Sequence, residues 1–354
     1  MRQIHMLHLG VGKVGKELLQ QICNVEELLR KRFAVQFLYH GLFTSKNGLI
    51  NTNGFSADTA LQMIKANKGS VSYEVEQLIQ EIPMPFLLID TTASDATVPY
   101  IVGTLRRGGF VVLSNKKPLA GTQEQFDTLH KLSQQRLLYE TVVGAGLPVI
   151  RTIKDMQDSG DDIVEIQGCL SGTLSFILSE LDGGSKFSEV ITDAKSKGFT
   201  EPDPRDDLSG RDVARKTLIL ARIIGQKMEL ENIQCMSLYP KNLESLNTNE
   251  FLAQIRSVDL FYKTRVEKAK RKNKVLRYVA KVSKKVCTVG LQEVDISSDI
   301  GSLKGPENLI AIRTKRYSPS PLVIKGPGAG IEVTAAGVFA DMLEVVKRVE
   351  GILI

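Results

Sequence analysis

Residues Ile4 to Gly10 read IHMLHLG, an apolar strand-like run that ends on the first of three glycines. Gly10, Gly12 and Gly15 stand in GxGxxG spacing, and a helical pattern then runs from Lys13 to about Lys31. A strand that turns into a helix through three glycines constrains the fold more than any other feature of the chain. The first glycine permits the tight turn, the second lets the backbone approach a pyrophosphate, and the third lets helix and strand pack closely. The helix N-terminus then offers unpaired N–H groups to phosphate oxygens. Taken alone the spacing is common; the flanking strand and helix make it a dinucleotide-binding signal.

The segments up to about residue 150 fit a layered α/β unit. FAVQFLYHG, Phe86–Thr92 (FLLIDTT), Gly109–Asn115 (GFVVLSN) and Leu137–Gly144 (LLYETVVG) read as further strands. Helical patterns fall at Ser56–Lys65 and Thr122–Gln134. Near-continuous apolar strands separated by helices predict a Rossmann-type, doubly wound parallel sheet covered on both faces. After GLPVIRTI the pattern changes. DDIVEIQGCL reads as a strand, with helices near Ser175–Leu181, Phe187–Lys197 and Gly210–Ile224. Then VLRYVAKVS, KVCTVGLQEV, LIAIRTKRY and PLVIKG come as short strands in close succession, predicting a second, α+β domain with a mixed or antiparallel sheet. TAAGVFADMLEVVKRVEG is one amphipathic helix. The expected division is 1–147 plus 327–354 for the dinucleotide domain and 148–326 for a catalytic and dimerisation domain, since 354 residues exceed one simple core.

Several function classes are disfavoured. The longest apolar runs fall short of the roughly 20 residues of a membrane span. The N-terminus has neither a long apolar segment nor a small-residue cleavage site, as a leader peptide would. Four scattered cysteines give no disulfide framework and fit a reducing, cytoplasmic compartment. His5 and His8 are no ligand pair, because three residues apart on a strand they point to opposite faces. The net charge of +6 comes largely from Tyr262–Lys285. With two tyrosines and no nucleic-acid motif, that run reads as a solvated linker and a half-exposed strand, not a nucleic-acid surface. It can still attract an anionic cofactor.

The second strand bears on the choice of cofactor. An NAD site usually ends that strand with an acid on the ribose hydroxyls; this one ends LYHGLFTSK. Thr44, Ser45 and Lys46 suit a 2′-phosphate, which favours NADP and leaves NAD open. Ligands bind beyond the carboxyl ends of such strands, where Thr91–Thr92, Asn115–Lys116 and Gly144–Gly146 stand. Lys116, directly after a buried strand, points at the rim of that crevice.

Phe199–Lys216, FTEPDPRDDLSGRDVARK, is the densest charged stretch. Pro202 and Pro204 keep Glu201 and Asp203 extended, and Asp207 or Ser209 can cap the next helix. Asp212 and Lys216 are four apart on that helix and share a face, which continues into Ile219 and Ile223. A lysine on a face that becomes core, beside a carboxylate, can hold an ammonium against a substrate carbonyl. Glu201, Asp206 and Asp207 can hold a cationic group such as an α-ammonium. The residues alone indicate a nicotinamide oxidoreductase that uses lysine.

Those residues also carry a resemblance. GFTEPDPRDDLSGRDVARK, ETVVGAGLPVI, CLSGTLSFIL and GPGAGIEVTAAGVFADML occur in the order found in homoserine dehydrogenases. The chain resembles that family over nearly its whole length, especially the dehydrogenase portion of bifunctional aspartate kinase–homoserine dehydrogenases and the fungal monofunctional forms. The resemblance implies interconversion of L-homoserine and L-aspartate 4-semialdehyde with NADP or NAD, in threonine and methionine synthesis, by a homodimer. It implies Lys216 and Asp212 as the catalytic pair, with Lys116 near cofactor and reacting carbon. Glu201, Asp207 and Thr173 are implied at the substrate, and Gly10, Gly12, Val14, Gly15, Lys46, Thr92, Lys116 and Gly328 at the cofactor. A structural sodium ion is implied at the backbone carbonyls of Glu140, Val143, Ala145 and Leu147. Two positions depart from the family: Phe199 stands where a Tyr is common, and Ile331–Glu332 where Asn-Asp is common. The alternatives kept open are a reductase of another amino-acid-like aldehyde and a non-catalytic dinucleotide sensor.

Overall fold

The computed structural model describes residues 1–66, 75–349 and 351. They fall into two units, Met1–Gly146 with Gly330–Ile354, and Leu147–Ala329.

In the first unit the chain runs β1 (Arg2–Leu9), α1 (Lys13–Asn24), α2 (Glu26–Phe33), β2 (Val35–Phe43), β3 (Gly48–Phe55), α3 (Ala57–Lys65), α4 (Val75–Glu81), β4 (Phe86–Asp90), α5 (Val98–Arg106), β5 (Phe110–Leu113), α6 (Gln123–Ser133), β6 (Leu137–Leu138) and α7 (Thr141–Gly144). The strand order is β3-β2-β1-β4-β5-β6, the arrangement of a doubly wound Rossmann-type sheet. Its pairs are parallel apart from β3, which returns antiparallel beside β2. β4 is buried along its whole length, as a strand covered on both faces must be. The C-terminal helix, Ile331–Val349, belongs here: its Ala335, Val338, Met342, Val345 and Val346 share one core cluster with Ile4, Leu18, Ile22, Tyr39 and Ile89.

Three sequence expectations change. The helix read from Lys13 to Lys31 is two helices, broken at Val25 (φ −118°, ψ 13°) after Asn24, both poor helix formers. Leu137–Gly144 pairs as a strand only at Leu137–Leu138, and Thr141–Gly144 is a turn of helix, since a short buried apolar run carries no period to separate the two. β3 makes the sheet mixed where the sequence suggests a parallel one.

The second unit runs α8 (Ile150–Asp158), β7 (Ile163–Cys169), α9 (Gly172–Asp182), α10 (Phe187–Ser196), α11 (Pro204–Leu208), α12 (Arg211–Ile223), β8 (Gln234–Cys235), α13 (Thr248–Gln254), α14 (Asp259–Lys270), β9 (Lys274–Ser283), β10 (Cys287–Asp295), β11 (Glu307–Thr314) and β12 (Leu322–Pro327). Its sheet has the order β12-β11-β7-β9-β10-β8 and antiparallel pairing, except that β8 lies parallel to β10. The basic run at 262–285 is not a linker. Tyr262, Val266 and Ala269 form the buried stripe of α14, and Val275–Ala280 of β9 are buried in the middle of the sheet. The guanidinium of Arg277 is buried, donating to Asp182 Oδ2 at 2.7 Å and to the carbonyls of Gly301 (2.8 Å) and Leu303 (2.9 Å). Part of the positive charge is therefore structural.

Candidate active site

In the first unit the glycine turn sits between β1 and α1. Gly10 has φ +85°, and a Cβ there would lie 2.6 Å from Thr92 N, so a side chain is excluded by backbone conformation and by contact. At Gly15 a Cβ would meet the His8 ring at 3.0 Å, which is the close helix–strand approach the spacing predicts. Gly12 differs: it is exposed, and a Cβ would come no nearer than 3.9 Å to any neighbour. The first turn of α1 has no side-chain cap. Open space above Gly12 beside uncapped helical N–H groups suits a dinucleotide pyrophosphate.

Beneath the turn lie polar groups whose mutual bonds sequence reading does not reveal. Asp90, fully buried at the end of β4, accepts from Thr92 N (2.8 Å), Thr97 Oγ1 (2.7 Å) and Asn115 Nδ2 (3.0 Å). Asn115 Nδ2 also reaches Thr92 Oγ1 at 3.1 Å and Ser94 O at 2.5 Å. One carboxylate thus fixes the two loops that carry Thr92 and Lys116. His8 is buried as well. Its Nε2 bonds Thr91 Oγ1 at 2.9 Å, and Nδ1 has no partner. Burial pushes the imidazole pKa down to about 3, so the ring is neutral at pH 7. An unpartnered buried acceptor costs about 1–3 kcal/mol. The sequence signal for both His8 and Asp90 is a polar residue in an otherwise apolar strand.

Of the other residues expected at a cofactor, Val14 is half-buried and packs on the core, and Lys116 is half-buried after β5. Lys46 is exposed in a tight turn. Thr44 is committed to that turn: its hydroxyl accepts from Asn47 N at 2.9 Å and from Lys46 N at 3.2 Å. Gly328 belongs to the second unit, and a Cβ there would collide with buried Asn308. Of the positions implied for sodium, Glu140, Val143 and Ala145 are buried, Leu147 is half-buried, and Ala145 holds φ +53°.

The charged stretch lies within the second unit. Asp203 is extended, as the prolines predict (φ −104°, ψ 109°), and the extended stretch ends there: Pro204 opens α11, because proline fits the first helical turn and Asp203 caps it. Asp203 accepts from Arg205 N at 3.0 Å and pairs with the Arg205 guanidinium, which holds its pKa down at about 2. Asp207 does not cap α12, whereas Ser209 Oγ accepts from Arg211 N, the first N–H of that helix, at 3.3 Å; the N-cap position itself falls on Gly210. Gly210 stands there at φ +72°, with a left-handed backbone and a Cβ position that would collide with Tyr278 Oη, so only glycine fits.

Of five acids in the stretch, Asp203 is structural, Asp206 is exposed, and Glu201, Asp207 and Asp212 converge. Asp207 Oδ2 accepts from Glu201 N at 2.8 Å. Its pKa is raised, chiefly by burial, with the Glu201 and Asp212 charges adding to it. The Thr173 hydroxyl, at the start of α9, bonds Phe199 O at 2.5 Å and also reaches the Asp207 carboxylate. Lys216 is buried, at 8% exposure. Its Nζ lies 2.9 Å from Asp212 Oδ2 and donates to Leu170 O at 2.8 Å. The structure therefore groups Thr173, Glu201, Asp207 and Asp212 through Asp207, and Asp212 in turn holds the Lys216 ammonium. Phe199 is exposed and edges onto the Phe176 ring at 5.0 Å between centroids.

A Rossmann-type unit with a glycine turn and an α+β unit with a buried lysine–aspartate pair have the form expected of a dinucleotide-dependent dehydrogenase. The family model for homoserine dehydrogenase matches residues 148–343. The chain belongs to the homoserine dehydrogenase family. It is 34% identical to the homoserine dehydrogenase of Schizosaccharomyces pombe, across 98% of this chain and 96% of that protein. It is 38% identical to the bifunctional aspartokinase/homoserine dehydrogenase of Haemophilus influenzae, across 98% of this chain but 43% of that protein, so it spans less than half of that relative. Among solved structures, a Candida auris protein of unknown function superposes with a TM-score of 0.90 at 33% identity, covering 98% of this chain and 99% of that one. A hyperthermophilic archaeal homoserine dehydrogenase in complex with NADPH shares the fold at a TM-score of 0.76 and 23% identity, with 98% of each chain covered.

Proposed function

We propose that the chain catalyses the reversible NAD(P)-dependent interconversion of L-aspartate 4-semialdehyde and L-homoserine, on the route to threonine and methionine. The observation that carries this reading is the buried Lys216 ammonium, held by Asp212 and by the Leu170 carbonyl. Those contacts engage two of its three N–H donors, and the third is the donor for the substrate oxygen. When bound, the nicotinamide supplies the hydride in the direction of reduction and accepts it in the direction of oxidation. Lys216 gives a proton to the alkoxide oxygen during reduction and takes one from the alcohol during oxidation. Positioned acid–base groups of this kind contribute about 10²–10⁴-fold in rate. Asp212 holds Nζ in place, 2.9 Å from its Oδ2.

Glu201 and Asp207 orient the substrate through its α-ammonium, with Thr173 beside them. The raised proton affinity of Asp207 falls when a cation arrives, which couples substrate binding to a carboxylate that is otherwise poorly solvated. Gly10, Gly12, Val14, Gly15, Thr92, Lys116 and Gly328 contact the dinucleotide, and Lys46 takes the 2′-phosphate, which favours NADP over NAD. An archaeal relative with the same fold is described in complex with NADPH. No described helix is long and apolar enough to cross a membrane; we place the enzyme in the cytoplasm, as a homodimer.

The test is oxidation of L-homoserine followed by absorbance of the reduced cofactor, with NADP and NAD in turn. Turnover with both, faster at low NADP than at equal NAD, is expected. No reduction of either cofactor by homoserine, and no oxidation of NADPH by the semialdehyde, would remove the assignment.

A further inference from the structure

We propose that His8 and Thr91 are positioning residues for dinucleotide binding, holding the Gly10–Val11 peptide through two hydrogen bonds in series. The inference rests on the reading that the glycine turn binds the dinucleotide. Bond directions are set by the donors available. A carbonyl only accepts, so the single hydroxyl proton of Thr91 goes to Gly10 O, 2.7 Å away. The His8 Nε2 at 2.9 Å must then donate to Thr91 Oγ1. That fixes the Nε2–H tautomer and leaves Nδ1 as a bare, buried acceptor with no partner. An apolar side chain would fill the same place without an orphaned atom. The donor at Nε2 is what the imidazole adds.

The peptide so held follows a glycine. Gly10 has no Cβ and sits at φ +85°, where both orientations of the next peptide are open to glycine. Its carbonyl also accepts from Gly12 N at 2.6 Å, while Gly10 N and Val11 N both donate to Phe43 O, at 2.8 and 2.9 Å. Thr91 completes this set from below, and His8 fixes Thr91. Release of the carbonyl would let its oxygen turn toward the side offered to the pyrophosphate, where it would repel phosphate oxygens. The His8 ring also abuts Gly15, within 3.0 Å of its missing Cβ, so the same residue props the first turn of α1.

The experiment titrates NADPH into the parent protein, His8→Leu, His8→Gln, Thr91→Val and the His8→Leu/Thr91→Val double variant, with melting temperature and homoserine kinetics beside it. Loss of either link should weaken NADPH binding about tenfold, with kcat at saturating cofactor within about twofold. The melting temperature should hold or rise. His8→Gln, whose amide N–H can donate, should recover most of the affinity. Because the links act in series, the double variant should lose no more than either single one. Parental affinity in both His8→Leu and Thr91→Val, or losses that multiply in the double variant, would overturn the proposal. Should His8→Leu not fold, Thr91→Val and His8→Gln decide on the same readouts. If the parent itself binds neither NADPH nor NADH, the cofactor reading fails. The relay is then judged on its own by the imidazole ¹⁵N spectrum, where the Nε2–H tautomer of His8 supports it and the Nδ1–H tautomer refutes it.

Discussion

In the proposed enzyme the glycine turn and the lysine site would recognise charge by opposite means. Around Gly10–Gly15 the groups offered to an anion are backbone N–H donors and open space, and the nearby polar side chains, Asp90, His8 and Thr91, lie behind the backbone and hold it. At the lysine site the groups proposed to face the substrate are side chains, one ammonium and three carboxylates, with the backbone of Leu170 and Glu201 as their tether. A backbone site tolerates many side chains but no change of shape. A side-chain site tolerates some change of shape but no change of charge. Substitutions should therefore fail in different ways in the two regions.

The largest effect is expected at Lys216. Lys216→Ala should lower kcat by about 10²–10⁴-fold, with NADPH affinity, measured by fluorescence titration, kept within a few-fold. Near-parental turnover would end the side-chain account of that site.

Next come two glycines of the same turn. Gly12→Ala puts a methyl into space that is open in the structure, so it should weaken NADPH roughly tenfold and leave the melting temperature alone. Gly10→Ala meets Thr92 N at 2.6 Å and a left-handed backbone, so it should lower the melting temperature as well. A strain of about 1–3 kcal/mol is the scale expected. Equal melting temperatures for the two variants would break the contrast between a contact glycine and a space glycine.

The smallest effect sharpens the comparison from the other side. The folded pKa of Asp207 is raised, so its charged form is disfavoured by folding and the protein loses stability as pH rises through the carboxylate range. Asp207→Asn removes that loss. At neutral pH it should melt about 1–3 °C higher than the parent, the gap closing near pH 3 where both side chains are neutral, while its KM for homoserine rises. A lower melting temperature at pH 7 would show that Asp207 stabilises the fold.

Much of this is legible in the sequence, and the exceptions have physical causes. The strand, glycine turn and helix are readable because the spacing and its flanks agree. The Asp212–Lys216 pair is readable because helical periodicity carries that face into Ile219 and Ile223. β3 escapes notice because an edge strand written GLINTNGF is mostly polar on its open side. The sequence points to Asp207 or Ser209 as the cap of α12 because side-chain caps are the common kind, whereas Gly210 answers to a tyrosine from β9, 68 positions away in sequence, that no local pattern announces. α14 reads as a linker because its cations outnumber the three buried residues that define its inner stripe. The partners of Asp90 stay hidden for a similar reason: each is an ordinary polar residue until the sheet gathers them.

The first core cluster joins Ile4 to Val346. A ribosome emits the second of these more than three hundred residues after the first. Until then the sheet containing the glycine turn has one flank without its cover. The Leu147–Ala329 unit, uninterrupted in sequence, can close while translation continues. A chaperone attending this chain during synthesis would meet the first unit still open after the second has closed.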